Sequence, residues 1–338
     1  MASGEWCLIE SDPGVFTDLI HGFGAEGVQV EEIFSLDDDS LEQMKPCHGL
    51  IFLFKWQQTD VPTENLVKDS RLDEIFFARQ VITNACATQA IVSVLLNCTH
   101  EDLKLGSTLS EFKEFAQAFD PQVGLNEPWI RFNSDFLIHR CEVAFFAYGN
   151  LYSIAMLFRQ QLFEMDSRDE KKDEDAFHFI AYVPFKGRLY ELDGLQEAPI
   201  DHGSIPEGTE WTDVARPIVQ QRMQKYSEGE IHFSLMAVIS ELRRKYEREL
   251  ERVLNDSAMT DDERNAKTSH LSMLIQEEER KREVYRTENL RRRHNWLPFI
   301  VELVKAYATQ GVLVSTVEKA VAKEAEKKRE TDKKRKRM

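Results

Sequence analysis

Apolar positions along the chain fall into alternating, continuous and three-to-four-spaced stretches, and each kind predicts a different element. Glu5 to Glu10, with Trp6, Leu8 and Ile9, reads as a first strand. Ser11-Asp12-Pro13 supplies two capping residues and a proline suited to a first turn, so a helix is expected from Val15 to Phe23, ending at Gly22 or Gly24. Val28 to Ile33 alternates like an exposed-edge strand, whereas Leu50 to Trp56 is apolar except for one lysine, the pattern of a strand buried on both faces. Gln80 to Leu96 passes from polar and small residues into a nearly unbroken apolar segment, which predicts a core helix with Cys86 at its start. Thr108 to Phe119 carries Leu109, Phe112, Phe115 and Phe119 at helical spacing, and Asp120-Pro121 stops it.

Phe136 to Phe158 is rich in aromatic and aliphatic residues but follows neither period, so it predicts no single element. Arg168 to Asp175 is a solvated charge run, expected as a loop. Ala176 to Val183 then reads as a buried strand, Lys186-Gly187 as a turn, and Arg188 to Gly194 as the hairpin partner. Composition changes near Tyr226. Ser227-Glu228-Gly229-Glu230 reads as a capping box opening an amphipathic helix whose stripe is Ile231, Leu235, Val238, Leu242, Tyr246, Leu250 and Val253. Asn255 to Ser269 reads as a polar linker, Leu271 to Arg293 as a charged helix, and Pro298 to Ala308 as a short apolar helix broken at Gly311, with another helix beyond it. The tail ends Lys333-Lys334-Arg335-Lys336-Arg337, which suits either a nuclear-import patch or a solvated terminus.

Composition narrows the function classes. A chain of 338 residues suggests about two domains, and 42% hydrophobic residues suffice for one sizeable core. A net charge of −16 disfavours nonspecific binding to nucleic acid phosphates. No apolar run approaches a membrane span, and Met1 to Glu10 lacks the pattern of a signal peptide. The five cysteines, Cys7, Cys47, Cys86, Cys98 and Cys141, form no CxxC pair, so no metal site, cofactor or disulfide framework is expected. A reducing compartment, cytoplasmic and nuclear, is the expected location.

Four residues can be assembled into one chemistry. Cys86 at a helix start is placed where unsatisfied N–H groups and the helix dipole favour a thiolate, and its flanking alanines leave the sulfur accessible. The plain alternative is a small core residue. His178, on a buried strand after a charged loop, could be the base that activates the sulfur, or a satisfied core histidine. Asp193 could orient that imidazole, or simply end a strand before a turn. Gln80, six residues ahead of Cys86, could donate to an oxyanion together with the Cys86 backbone N–H, or be an exposed turn residue. Their order along the chain matches papain-like thiol hydrolases.

Gln80…Asn84-Ala85-Cys86-Ala87-Thr88, Phe177-His178-Phe179 and Leu189-Tyr190-Glu191-Leu192-Asp193-Gly194 resemble the three signature blocks of the ubiquitin carboxyl-terminal hydrolases. Glu5 to Phe16 and His48 to Trp56 narrow the resemblance to the long, proteasome-associated kind with a helical extension. The resemblance implies an α+β fold: a papain-like catalytic domain over 1–226 with a central antiparallel sheet flanked by helices and a knotted backbone. An all-α extension over 227–330 and a basic tail over 331–338 would follow. It also implies a crossover loop at about 157–176 limiting the leaving group. Cys86 would be the nucleophile, His178 the acid and base, Asp193 its orienter and Gln80 the oxyanion stabiliser. One stretch departs from the family pattern: between Asn133-Ser134-Asp135 and Arg159-Gln160-Gln161 the family has a shorter, more polar segment, where this chain has a longer, apolar one containing Cys141 and Tyr148.

The implied partners are ubiquitin, a ubiquitin-receptor subunit of the proteasome's regulatory particle through the extension, and a related adaptor in a chromatin-remodelling complex. Asn84, Glu31 and Glu32 are candidate substrate contacts, although Glu31 and Glu32 also fit a solvated strand edge. Trp296, Leu297, Phe299, Ile300 and Leu303 form an apolar face that either meets a partner or closes a small internal bundle. The rival to a deubiquitinating enzyme is an autoinhibited scaffold whose work is done by the C-terminal helices.

Overall fold

The computed structural model describes residues 10–55, 65–80, 86–117, 177–227 and 233–323. Two compact units divide the chain, residues 1–292 and 293–338.

The first unit is built on a six-stranded sheet in the order β1-β6-β2-β3-β4-β5, with neighbouring strands antiparallel. The strands are β1 (Val28–Glu32), β2 (Cys47–Lys55), β3 (Phe177–Phe185), β4 (Arg188–Leu192), β5 (Ile200–Ser204) and β6 (Phe233–Ser240). Lys186 and Gly187 both adopt positive φ, 46° and 74°, between β3 and β4. Two such residues match the right-handed twist of the flanking strands, so the expected tight hairpin forms.

Both faces of the sheet are covered. The helices α1 (Pro13–Gly22), α3 (Cys86–Asn97) and α4 (Gly106–Gln117) contribute Phe16, Leu19, Ile91, Leu95 and Leu109 to one core, where they meet Phe179, Ala181 and Val183 of β3. On the other side, α5 (Trp211–Ser227) packs Trp211, Ala215 and Val219 near Phe52, Phe54, Ile180 and Tyr182. Successive residues of β3 therefore enter opposite cores, which is why its sequence is apolar without alternation. A short helix, α2 (Asp38–Gln43), links β1 to β2.

Two expectations are overturned here. The sequence pattern places Leu235 and Val238 on an amphipathic helix opening at Ser227, but Ser227 ends α5 and Phe233–Ser240 is β6, inserted between β1 and β2. Leu235 to Ile239 is apolar at every position, so a helical stripe can be picked from it. Burial on both faces makes it a strand, with Met236 and Val238 in one core and Leu235, Ala237 and Ile239 in the other. The helical part starts at α6 (Leu242–Asn255). The boundary expected after 226 thus precedes a strand that completes the sheet. The linker expected over Asn255 to Ser269 also shrinks, because α7 (Asp261–Arg293) begins early. Thr260 and Glu263 form a reciprocal capping box: Glu263 N–H donates to Thr260 Oγ1 at 3.4 Å, and Thr260 N–H donates to Glu263 Oε2 at 3.3 Å.

The second unit contains α8 (Leu297–Thr309) and α9 (Leu313–Lys323), separated near Gly311. The expected first strand, the 136–158 stretch, the crossover loop and the basic tail lie outside the described residues. The threading of the backbone depends on connections that also lie outside them.

Candidate active site

Cys86 is the first residue of α3, placed there by a helix whose remaining turns are buried in the sheet's core. The thiol is 6% exposed, so it is less open than its flanking alanines suggest. It sits at the end of a tight cleft lined also by Phe77, Gln80, Gln89, Phe179, Leu192 and Gly194.

His178 opens β3 and pairs across strands with Phe54 of β2, whose ring meets the imidazole edge-on at 5.8 Å. Its Nε2 lies 2.6 Å from Oδ1 of Asp193. Cys86 lies close enough to the imidazole to bear on its ionisation. With Nε2 committed to the carboxylate, Nδ1 is the nitrogen left to face the sulfur. Burial alone lowers the His178 pKa, but Asp193 and Cys86 together outweigh it and raise the value to about 9. The imidazolium is therefore the resting form at neutral pH.

Asp193 follows β4 and is itself held. The Leu195 N–H donates to Oδ1 at 2.9 Å and Gln196 Nε2 donates to Oδ2 at 3.3 Å. Burial works to raise the Asp193 pKa, and the bonds to His178, Leu195 and Gln196 hold it below the ordinary carboxylate value. Gln80 comes to the same cleft, half-buried, with its backbone N–H donating to the Gly194 carbonyl at 2.8 Å. Cys86, the imidazolium of His178 and the ionised Asp193 thus stand in one series of contacts, with Gln80 lining the gap beside Cys86, the equipment of acyl transfer through a sulfur nucleophile.

The family model described as "Ubiquitin carboxyl-terminal hydrolase, family 1" matches residues 6–224. The chain belongs to the ubiquitin carboxyl-terminal hydrolases. A second model, "Ubiquitin carboxyl-terminal hydrolases", matches residues 268–313 of this hydrolase. Ubiquitin carboxyl-terminal hydrolase ubh-4 of Caenorhabditis elegans is 43% identical over 329 residues, covering 96% of this chain and 94% of that protein. Ubiquitin carboxyl-terminal hydrolase 2 of Schizosaccharomyces pombe is 39% identical, covering 96% of this chain and 99% of its own. Among solved structures, Trichinella spiralis UCH37 bound to ubiquitin vinyl methyl ester is 39% identical with a TM-score of 0.57, covering 83% of this chain and 99% of that one. The enzyme is a thiol-dependent ubiquitinyl hydrolase.

Several supports of the hydrolase site were not legible in the sequence. Asn97, at the far end of α3, accepts from the Phe76 N–H at 2.8 Å and donates to the Phe76 carbonyl at 2.8 Å. The helix that carries Cys86 thereby clamps the strand-like segment leading to Gln80. Beneath His178, the Arg222 guanidinium lies over the Phe54 ring at 5.0 Å, pairs with the buried Glu191 and donates to Tyr182 Oη at 2.9 Å. His202 Nε2 closes the network 2.9 Å from Glu191 Oε2.

The remaining candidates fall elsewhere. Glu31, on β1, is engaged within the chain, 2.5 Å from Lys281 Nζ of α7. Glu32 accepts a 3.4 Å bond from Ser234 Oγ. Neither lines the Cys86 cleft. Asn84 lies outside the described residues. In the second unit, Trp296, Leu297 and Phe299 are 45%, 40% and 59% exposed.

Proposed function

We propose that this hydrolase cleaves the bond after the terminal glycine of ubiquitin, as an isopeptide or a small C-terminal adduct, through Cys86, His178, Asp193 and Gln80. The Cys86 thiolate adds to the glycine carbonyl, forming a C–S bond and a tetrahedral oxyanion. Gln80 and the Cys86 backbone N–H donate to that oxygen. The imidazolium of His178 gives its proton to the leaving amine as the C–N bond breaks, leaving a thioester. Water then attacks the thioester, His178 takes its proton, and the thiolate leaves. Asp193 keeps the imidazole in the tautomer and orientation these transfers need. The observation that carries this reading is the bond from His178 to Asp193 at 2.6 Å, with Cys86 near enough to the same ring to bear on its ionisation. The Trichinella relative was solved with a ubiquitin electrophile bound, which supports ubiquitin as the substrate.

An electrophilic ubiquitin probe tests the assignment. The full chain is expected to form a single covalent adduct, and Cys86→Ala none. An undiminished adduct on Cys86→Ala would overturn it.

The exposed apolar face of the second unit supports a further part of the reading, in which the C-terminal helices dock on a partner. The partner would be a ubiquitin-receptor subunit of the proteasome in the cytoplasm and nucleus, or a related adaptor of a chromatin-remodelling complex that inhibits. Phe299→Asp is expected to abolish capture by the receptor's adaptor domain. Unchanged capture would remove α8 from the interface. If the hydrolase turns over no ubiquitin amide with or without that adaptor, the scaffold reading replaces this one.

A further inference from the structure

Gln89 lies one turn beyond Cys86 on α3 and joins three parts of the site at once. Its Nε2 donates to the Ala78 carbonyl, two residues before Gln80. Its terminal amide also rests directly on Gly194: a Cβ at that glycine would stand 2.7 Å from Nε2 and 2.8 Å from Oε1. Gly194 in turn accepts the Gln80 backbone N–H at 2.8 Å and follows Asp193. The segment carrying Gln80 is thus pinned to the nucleophile's own helix on one side and to the turn behind Asp193 on the other.

We infer that Gln89 is a positioning residue for the oxyanion hole, fixing the distance between Gln80 and the Cys86 sulfur. It makes this contribution through the Ala78 carbonyl and the Gly194 contact, without touching substrate. Side-chain amides are placed to stabilise an oxyanion only when their backbone is held to a fraction of an ångström, and a clamp from the helix that bears the nucleophile ties donor and attacking atom to one rigid body. The inference rests on Gln80 being the oxyanion donor, as proposed above.

The experiment uses the full chain with the variants Gln89→Met, Gly194→Ala, Gln80→Ala and the pair Gln80→Ala/Gln89→Met. Gln89→Met keeps length and volume but removes the donor. Gly194→Ala keeps Gln89 but pushes its flexible end away, so it reports independently should Gln89→Met fail to fold. Turnover of a ubiquitin amide and alkylation of Cys86 by iodoacetamide are both followed, since alkylation is a displacement at carbon that forms no oxyanion. Gln89→Met and Gly194→Ala are each expected to lower kcat by roughly 10- to 100-fold with KM nearly unchanged. Their alkylation rates are expected to stay within about twofold of the parent, and the double variant is expected to be no slower than Gln80→Ala alone. A parental kcat in both variants, alkylation that falls in step with turnover, or effects of Gln80 and Gln89 that multiply would overturn the inference. A parental kcat in Gln80→Ala would overturn the oxyanion assignment itself, a result distinguishable from failure of Gln89 alone.

Discussion

His178 Nε2 and Asp193 Oδ1 are 2.6 Å apart, with both side chains 4% exposed. In so dry a setting burial is the largest single influence and disfavours the imidazolium, but Asp193 and Cys86 together outweigh it, and the His178 pKa rises from 6.5 to about 9. A folded-state value above the unfolded one means that the charged ring stabilises the fold fully below about pH 6.5, and that this contribution is lost as pH rises through about 9. In the proposed mechanism catalysis has the same limit, because there the imidazolium donates to the leaving group. The alkaline limb of kcat/KM is expected near pH 9, and Asp193→Asn is expected to move it toward 6.5. At neutral pH the same variant should lose about 10²-fold or more in kcat/KM. Profiles of both proteins on a ubiquitin amide decide the matter; an unmoved limb would show that Asp193 does not set the ionisation.

Cys86, His178, Asp193 and Gln80 stand out as candidates in the sequence because acyl transfer needs particular residue types in a particular chain order, and a single sequence displays both. Their supports do not. Asn97 reads as an ordinary helix-end residue until the fold brings it to Phe76, 21 positions away. Gln89 reads as a polar residue on a core helix, and nothing local ties it to Ala78 or Gly194. Most of the sheet's strands show as apolar or alternating runs, but two do not: β5 has a single apolar residue, Ile200, and β6 is apolar over a stretch that contains a helical stripe as well as a strand. Thr260-Asp261-Asp262-Glu263 did announce the start of α7, and the polar character of the neighbouring stretch hid it.

The clamp from Asn97 should be costly to remove. Asn97→Ala deletes both bonds to Phe76 and a third, donated to the Ser93 carbonyl at 2.9 Å, in a residue 3% exposed. Two backbone groups of Phe76 would lose these partners, and the expected destabilisation is about 2–4 kcal/mol. Asn97→Asp should be at least as harmful, since a carboxylate cannot donate to the Phe76 or Ser93 carbonyls. Urea unfolding monitored by tryptophan fluorescence measures both, and a shift of under about 1 kcal/mol would mean that water replaces the clamp.

Arg222 and Glu191 form an ion pair with both side chains largely out of solvent, 13% and 3% exposed. Taking one partner leaves the other charge buried, so Arg222→Met is expected to cost about 3–5 kcal/mol. The paired variant Arg222→Met/Glu191→Gln should recover part of that loss, because no charge is then stranded. A double-mutant cycle on thermal unfolding reads the coupling directly; additive effects would place the two residues in separate environments. Arg222 also covers the Phe54 ring that meets His178, so the single variant should lower kcat in addition to the melting temperature.

β6 decides where the hydrolase can be cut. It hydrogen-bonds to β1 on one side and β2 on the other and fills both cores, so a fragment ending at Tyr226 loses the strand that ties β1 to the sheet. That fragment is expected to be insoluble or to melt without cooperativity. A fragment ending at Glu241 keeps all six strands. It gives up polar clasps: the Leu242 N–H to Gln29 Oε1 at 3.0 Å, Lys281 to Glu31 at 2.5 Å, and Asn289 Nδ2 to the Gly14 carbonyl at 3.0 Å. They belong to a wider set that includes the Arg248 pair with Asp102, Lys245 Nζ to the Lys45 carbonyl at 2.6 Å, Arg292 to Asp12 at 3.0 Å and Gln29 Nε2 to the buried Glu278 at 3.2 Å, so the loss should be about 3–6 kcal/mol, read as a melting temperature lower by roughly 6–20 °C. Circular dichroism melts of the two fragments separate the cases. Cooperative unfolding of the fragment ending at Tyr226, with turnover of a ubiquitin amide, would mean that the sheet closes without its second strand.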